Sequence, residues 1–259
     1  MRLLGAELRK ITYQRAMWGL MIAGALFSVL GTASTPFILA SSGDGLGFGT
    51  LAEQNVVDSV YANAVSGYIF AMLLGVLVVA GEFRHGTAVA TFVAVPKRGR
   101  VLLAKMVAAG WAGLILQVVA TGAGIGSGYI ALRFYPDAAQ ASQEIFINTA
   151  LSGIVSGVAL GILGAAIGAL LRSQVVALIG VLLWLFAIEP ILLLLVPEAG
   201  KYSLTGLMTA IVSLDVESDL VNFTTDSFLS PLLSILFLLG YAFVFAILAL
   251  ITSMRRDID

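Results

Sequence analysis

Reactive side chains are scarce in this chain, and the scarcity narrows the chemistry. There is one histidine, His85, and no cysteine, so thiolate nucleophiles, disulfide frameworks, Cys-based metal sites and His-pair metal motifs are all excluded. His85 has no obvious serine to activate, and its expected role is interfacial packing. The only Gly-Lys pair is Gly200-Lys201; it has no glycine at the phosphate-loop offset and Tyr202 stands where Ser or Thr would bind magnesium. No ATP site of that kind exists here, and no pair of carboxylates within an apolar run suggests acid–base hydrolysis.

Polar chemistry is concentrated in one short connection, Gly81 to Lys105, GEFRHGTAVATFVAVPKRGRVLLAK. Glu82, Phe83, Arg84 and His85 lead into Gly86 and Thr87, a break and an N-cap. Ala88, Val89, Phe92 and Val93 then give a short apolar face that Pro96 ends, which predicts a helix of about two turns. The basic residues Lys97, Arg98 and Arg100 follow. A charged element held between long apolar runs is suited to being gripped from the aqueous side.

Those runs are the elements that must position it. The 259 residues are 59% hydrophobic and 11% charged, with a mean hydropathy of +1.02, far from the composition of soluble domains, in which roughly a quarter of residues are charged. Charge-free or nearly charge-free stretches long enough to cross about 30 Å of hydrocarbon place six helical spans at about 16–38, 59–81, 104–131, 147–171, 174–196 and 231–253. The expected fold is all-α: a single polytopic transmembrane domain over residues 1–259, with a connection at 82–103 between spans 2 and 3. Of the 14 Lys and Arg, only Arg133 and Lys201 fall on one side of this arrangement. The positive-inside rule therefore sets both termini and the 82–103 loop in the cytoplasm of a multi-pass cell-membrane protein.

Residues 1–15 place Leu4, Leu8 and Ile11 on one helical stripe and Glu7, Lys10 and Gln14 on another, the pattern of an interfacial helix with its leucines in the acyl boundary and its charges among the headgroups. The alternative, the leading region of a cleaved signal peptide, fits less well because the apolar run that follows is longer than such signals carry. Residues 41–58, rich in Gly and Ser, read as an outer loop.

Five of the apolar spans carry features to place. Gly122, Gly124, Gly126 and Gly128 alternate in the third span, and Gly153, Gly157, Gly161, Gly164 and Gly168 recur in the fourth at close to four-residue spacing, either for packing within the chain or as a sliding or intersubunit groove. Glu189 lies within the fifth span, about 14 residues from its basic end, where a carboxylate is costly and needs a partner or water. It could line a substrate path or carry a proton; equally, it could cap backbone freed by Pro190 or meet Lys201. Ser28, Thr32, Thr35, Ser66 and Gln117 are candidates to line a pathway or to bond helices together. Between Lys201 and Ile211 the sequence predicts a short re-entrant or surface helix. Asp215, Glu217 and Asp219 form a solvated acidic loop lacking the glycine and terminal glutamate of a calcium loop, and Asn222 would accept a glycan only in a eukaryotic secretory pathway.

The run Glu82-Phe83-Arg84-His85-Gly86-Thr87, followed by Pro96, Arg100 and Lys105, resembles the cytoplasmic loop of permeases of ATP-binding-cassette transporters, the six-span type-2 exporter class. The resemblance extends over the amphipathic start, the six spans and the outer segment between spans 5 and 6; Glu189-Pro190 and Pro197 look like smaller members of the class. No large outer domain or fused ATPase is present. The resemblance implies a permease subunit, not itself an enzyme, that forms the substrate pathway beside a second permease subunit. Residues 84–95 would be a coupling helix seated in a separate cytoplasmic ATPase, which would hold the ATP and magnesium; this chain itself would bind no cofactor. Its other partner would be membrane lipid, not nucleic acid. On this reading Glu82, Phe83, Arg84, His85, Gly86, Thr87, Val89, Phe92 and Arg100 couple to the ATPase, with Val89 and Phe92 packing into its cleft. Glu189, Ser28, Thr32 and Gln117 are pathway candidates for lipophilic or amphipathic cargo such as a drug. The competing expectation is a secondary transporter or channel using Glu189 for ion coupling, against which stands the absence of an internal repeat.

Overall fold

A computed structural model describes residues 2–42, 49–87, 91, 93, 95, 97–212 and 229–252. All regular structure among these residues is helical. Helix α1 (Arg2–Tyr13) is followed by α2 (Arg15–Ser42), α3 (Gln54–Ala62), a 3-10 turn at Asn63–Gly67 and α4 (Tyr68–Arg84). Next come α5 (Arg98–Leu132), α6 (Gln143–Leu171), α7 (Gln174–Leu183), α8 (Glu189–Leu195), α9 (Pro197–Gly200), α10 (Leu204–Val212) and α11 (Pro231–Ile251). Six helices or helical runs are long and apolar enough to cross a membrane: Arg15–Ser41, Gln54–Arg84, Arg98–Leu132, Gln143–Leu171, Gln174–Leu192 and Pro231–Ile251. A chain with this many such helices is a membrane protein, because only helices or closed barrels satisfy every backbone group within lipid.

Several boundaries move from their expected places. Span 2 begins at Gln54, inside the stretch expected to be an outer loop, because Glu53 accepts the Thr50 N–H and turns the chain into α3. Span 3 begins at Arg98, five or more residues earlier than expected, so Arg98 and Arg100 sit on its first turn rather than in a loop. At 35 residues α5 runs about 52 Å, so it extends well past the hydrocarbon at the end where the basic residues lie. Span 5 is not one continuous helix. A π-helical turn at Trp184–Ile188 separates α7 from α8, and the chain breaks again at Val196. Pro190 accounts for the first irregularity: it has no N–H for the carbonyl four residues back, and its ring crowds that carbonyl.

Side-chain caps set other helix starts. Ser142 accepts the Ile145 N–H at 3.1 Å to open α6, and Ser230 with Pro231 opens α11. Arg172, in the left-handed region at φ 54°, ends α6 and permits Ser173 to start α7 directly, so spans 4 and 5 are joined by two residues.

The spans fall into two sets. In spans 2, 3 and 4, between 56% and 72% of the most apolar window is buried; in spans 1, 5 and 6 the figure is 22% to 28%. The central set packs backbone to backbone, and α6 is the reason. A β-carbon at Gly157 would stand 2.6 Å from the Gly113 carbonyl of α5, and one at Gly161 2.5 Å from that of Ala109. Gly164 and Gly168 turn instead to Met72 and Val76 of α4. The glycine row of α6 thus serves two neighbours in turn. In α5 the alternating glycines split as a helix requires: Gly124 and Gly128 meet Ala64 and Thr32, whereas Gly122 and Gly126 face open space.

The expected helix between Lys201 and Ile211 is present as α10, and it is buried rather than superficial. Leu204, Leu207, Met208 and Ile211 join the core cluster that holds Met72, Leu160 and Leu238. The acidic residues Asp215, Glu217 and Asp219, as well as Asn222, Arg255 and Arg256, lie outside the described residues.

Candidate functional site

Helix α1 departs from the expectation of a helix whose charges lie among headgroups. Ile11 is buried and Leu4 and Leu8 pack against a core cluster that includes Leu74, Val78 and Leu102. Glu7 is buried too, at 2% exposure. Its partner is Lys105 of α5, at 3% exposure, whose Nζ lies 2.8 Å from Glu7 Oε2. The same Nζ is 2.6 Å from Glu82 Oε1 at the end of α4. Lys10 completes the group, 3.0 Å from Glu82 Oε1 and 3.2 Å from Glu7 Oε1. Two carboxylates and two ammonium groups alternate around a square. Lys105 is therefore not one of the loop's solvent-facing cations but the inner corner of this square.

Burying isolated charges would cost several kcal/mol each; here each carboxylate touches two cations and each cation two carboxylates, so the group is neutral overall. Burial alone would lower the Lys10 ammonium, but the hydrogen bond and charge of Glu82, followed by those of Glu7, outweigh it and hold Lys10 above its ordinary value. The square ties α1, α4 and α5 together through residues up to 98 positions apart. Sequence reading missed it because it treats charges next to a span as solvated; the signal available was Lys105 standing a full turn or more inside an apolar helix.

Glu82, Phe83 and Arg84 each reach a different neighbour. Glu82 belongs to the square, Phe83 lies under the Arg172 guanidinium at 5.3 Å in a cation–π contact, and Arg84 Nη1 donates to Gln174 Oε1 of α7 at 3.5 Å. Beyond them the chain leaves α4. The His85 N–H donates to the Gly81 carbonyl, and Gly86 takes a positive φ of 68°, a helix exit that favours glycine. Thr87 donates its hydroxyl to the Glu82 carbonyl. Arg84, His85, Gly86, Thr87 and Arg100 are all exposed. Val89, Phe92 and Pro96 lie outside the described residues.

The pathway candidates occupy the interior. Ser28 is fully buried, and its Oγ accepts the Gly67 N–H at 3.1 Å. Gln117, also fully buried, donates to the Val65 carbonyl at 2.7 Å and to Thr121 Oγ1 at 3.2 Å. Spans 1 and 3 thus hold the 3-10 turn of span 2 from both sides, where the change of helical pitch loosens the backbone. Thr32 packs on Gly128, Thr35 donates to the Gly31 carbonyl, and Ser66 sits opposite Gly31.

Glu189 is 1% exposed. It neither meets Lys201, which pairs with Glu198 at 3.1 Å, nor caps backbone beside Pro190. Its Oε1 accepts the Thr205 N–H in the first turn of α10, while Ser203 Oγ accepts that of Gly206. A carboxylate at a helix N-terminus satisfies an orphan donor and faces the positive end of the helix dipole. At the other end of α10, Ser152 donates to the Ile211 carbonyl at 2.9 Å. Among the described residues Glu189 Oε2 has no hydrogen-bond partner.

Compared with protein-family models and with curated proteins, the chain matches none.

Proposed function

We propose that this chain is the membrane-spanning permease subunit of an ATP-binding-cassette exporter, working with a separate cytoplasmic ATPase and a second permease subunit. The observation that carries the reading is the fan of contacts at the root of the 82–103 connection. Glu82, Phe83 and Arg84, at the foot of α4 where that connection begins, reach α1, α5, the α6–α7 turn and α7. A push on the segment from the aqueous phase is then passed to most of the bundle. The resemblance of its sequence to the coupling loop of type-2 permeases supplies the partner. A conformational shift requires differential binding of that partner to two states of the bundle. Because the chain carries no phosphate loop, ATP-derived work would arrive through this surface. Cargo of lipophilic or amphipathic character fits the apolar spans.

The test is co-expression and co-purification with the ATPase subunit that this reading requires, comparing Phe92→Asp with the unaltered protein. Loss of ATPase retention and of transport is expected; undiminished binding and transport would remove the loop from the mechanism.

A second reading, a secondary transporter coupled to ions through Glu189, draws on the partnerless oxygen of that buried carboxylate. Vesicles containing this chain alone distinguish the two. Uphill cargo movement on a proton or sodium gradient, with no ATPase present, would establish the second and end the first.

A further inference from the structure

We propose that the cleft between α1, the end of α4 and the start of α7 is a binding site for the headgroup of an anionic phospholipid. The cleft has a volume of about 720 Å³, within the range of sites that hold small ligands. Its walls are of two kinds. Lys10, Arg84, His85 and Gln174 line it with donors, and Ile11, Ala16, Leu77 and Val78 line it with aliphatic carbon. That division matches an amphiphile, with a phosphate against the cations and the first methylenes of its chains against the aliphatic side chains.

Charge bookkeeping within the cleft favours an anion. Glu7 and Glu82 also border it, but their charges are matched by Lys10 and by Lys105 behind the wall. Among the described residues Arg84 remains as the surplus positive charge, with a neutral amide as its hydrogen-bond partner at 3.5 Å. Its guanidinium presents the planar fork that suits phosphate oxygens. The cleft also lies at the end of the bundle that gathers the basic residues, where α1 meets the ends of spans 2 and 5; a lipid, unlike a soluble anion, reaches that level from within the bilayer leaflet. None of this depends on the transport reading, so the two stand or fall separately.

The full-length protein, purified in a neutral detergent, is melted while its tryptophan fluorescence is followed, with increasing dioleoyl phosphatidylglycerol or dioleoyl phosphatidylcholine. The expected result is a saturable rise in melting temperature with phosphatidylglycerol and none with phosphatidylcholine. Arg84→Gln, at an exposed position, should melt normally without lipid and need roughly tenfold more phosphatidylglycerol for the same shift, the effect of losing one charge-assisted bond. Arg9→Gln, which removes an exposed cation of α1 outside the cleft, should respond as the unaltered chain does. Equal shifts from both lipids, or equal losses in Arg9→Gln and Arg84→Gln, would overturn the site in favour of diffuse surface charge. An equal shift from sodium phosphate alone would overturn the lipid and leave a free-phosphate site.

Discussion

The two ends of the bundle bury a carboxylate in opposite ways. At the basic end Glu7 is surrounded by charge, with Lys10 and Lys105 on its two oxygens and Glu82 sharing both cations. At the other end Glu189 is held by a backbone N–H of α10, and among the described residues it meets nothing of opposite charge and one oxygen has no hydrogen bond. The difference lies in what each can tolerate. A charge paired with charge fails when either member is removed, because the survivor is left buried and uncompensated. A carboxylate facing an amide dipole keeps its hydrogen bond when it is neutralised. The first arrangement clamps three helices, and the second lets a short helix be seated or released at modest cost.

Replacing Lys105 by methionine should break this contrast open most visibly, lowering stability by about 3–5 kcal/mol because it leaves Glu7 and Glu82 with Lys10 as their one remaining partner in the square. The double change Glu7→Gln with Lys105→Met should recover much of the loss. Thermal unfolding in detergent checks both, and a double variant no better than the single one would show that the square does not act as a unit. At the opposite end, Glu189→Ala should cost about 1–2 kcal/mol, the ordinary loss of a helix cap, whereas Glu189→Gln, which still offers an oxygen to Thr205, should cost less. If Glu189→Gln proves as damaging as Lys105→Met in the same unfolding assay, the charge itself is required there and the two ends are alike. Lys10→Gln should have a smaller effect, under about 1 kcal/mol and reduced further by salt, because its ammonium is half exposed.

Titration gives the faintest signal. Lys10 is raised above 10.5 in the folded protein, so the folded state binds its proton more tightly than the unfolded chain does. Its contribution is complete below pH 10.5 and fades as the pH rises through the higher folded value. The melting temperature should therefore show no Lys10-dependent change from neutral pH up to about 10.5, and the gap between the native chain and Lys10→Gln should close only above it.

The spans were legible because a membrane crossing is a property of long uninterrupted runs, and absence of charge over residues 106–132 or 145–171 can hardly be arranged any other way. The helix at 204–212 was legible for a related reason, as an apolar island between polar neighbours. Pairings across distance were not. Nothing in MRLLGAELRK announces that Glu7 will turn inward, because an amphipathic pattern marks which residues share a face and not what covers the polar one. The start of α5 was misread because Pro96, Lys97 and Gly99 resemble a loop, although two arginines are good helix formers. The role of Glu189 was out of reach for a similar reason: a backbone donor 16 residues away leaves no trace in composition.

The glycine row of α6 has a mechanical consequence. With Gly157 and Gly161 pressed on α5 and Gly164 and Gly168 on α4, this helix is meshed with two neighbours at once, and a shift along either would drive backbone into backbone at the other. The three middle helices therefore form a stator. In the transport proposed above, opening and closing would then fall to the spans outside this block, which bury less of their surface within the chain.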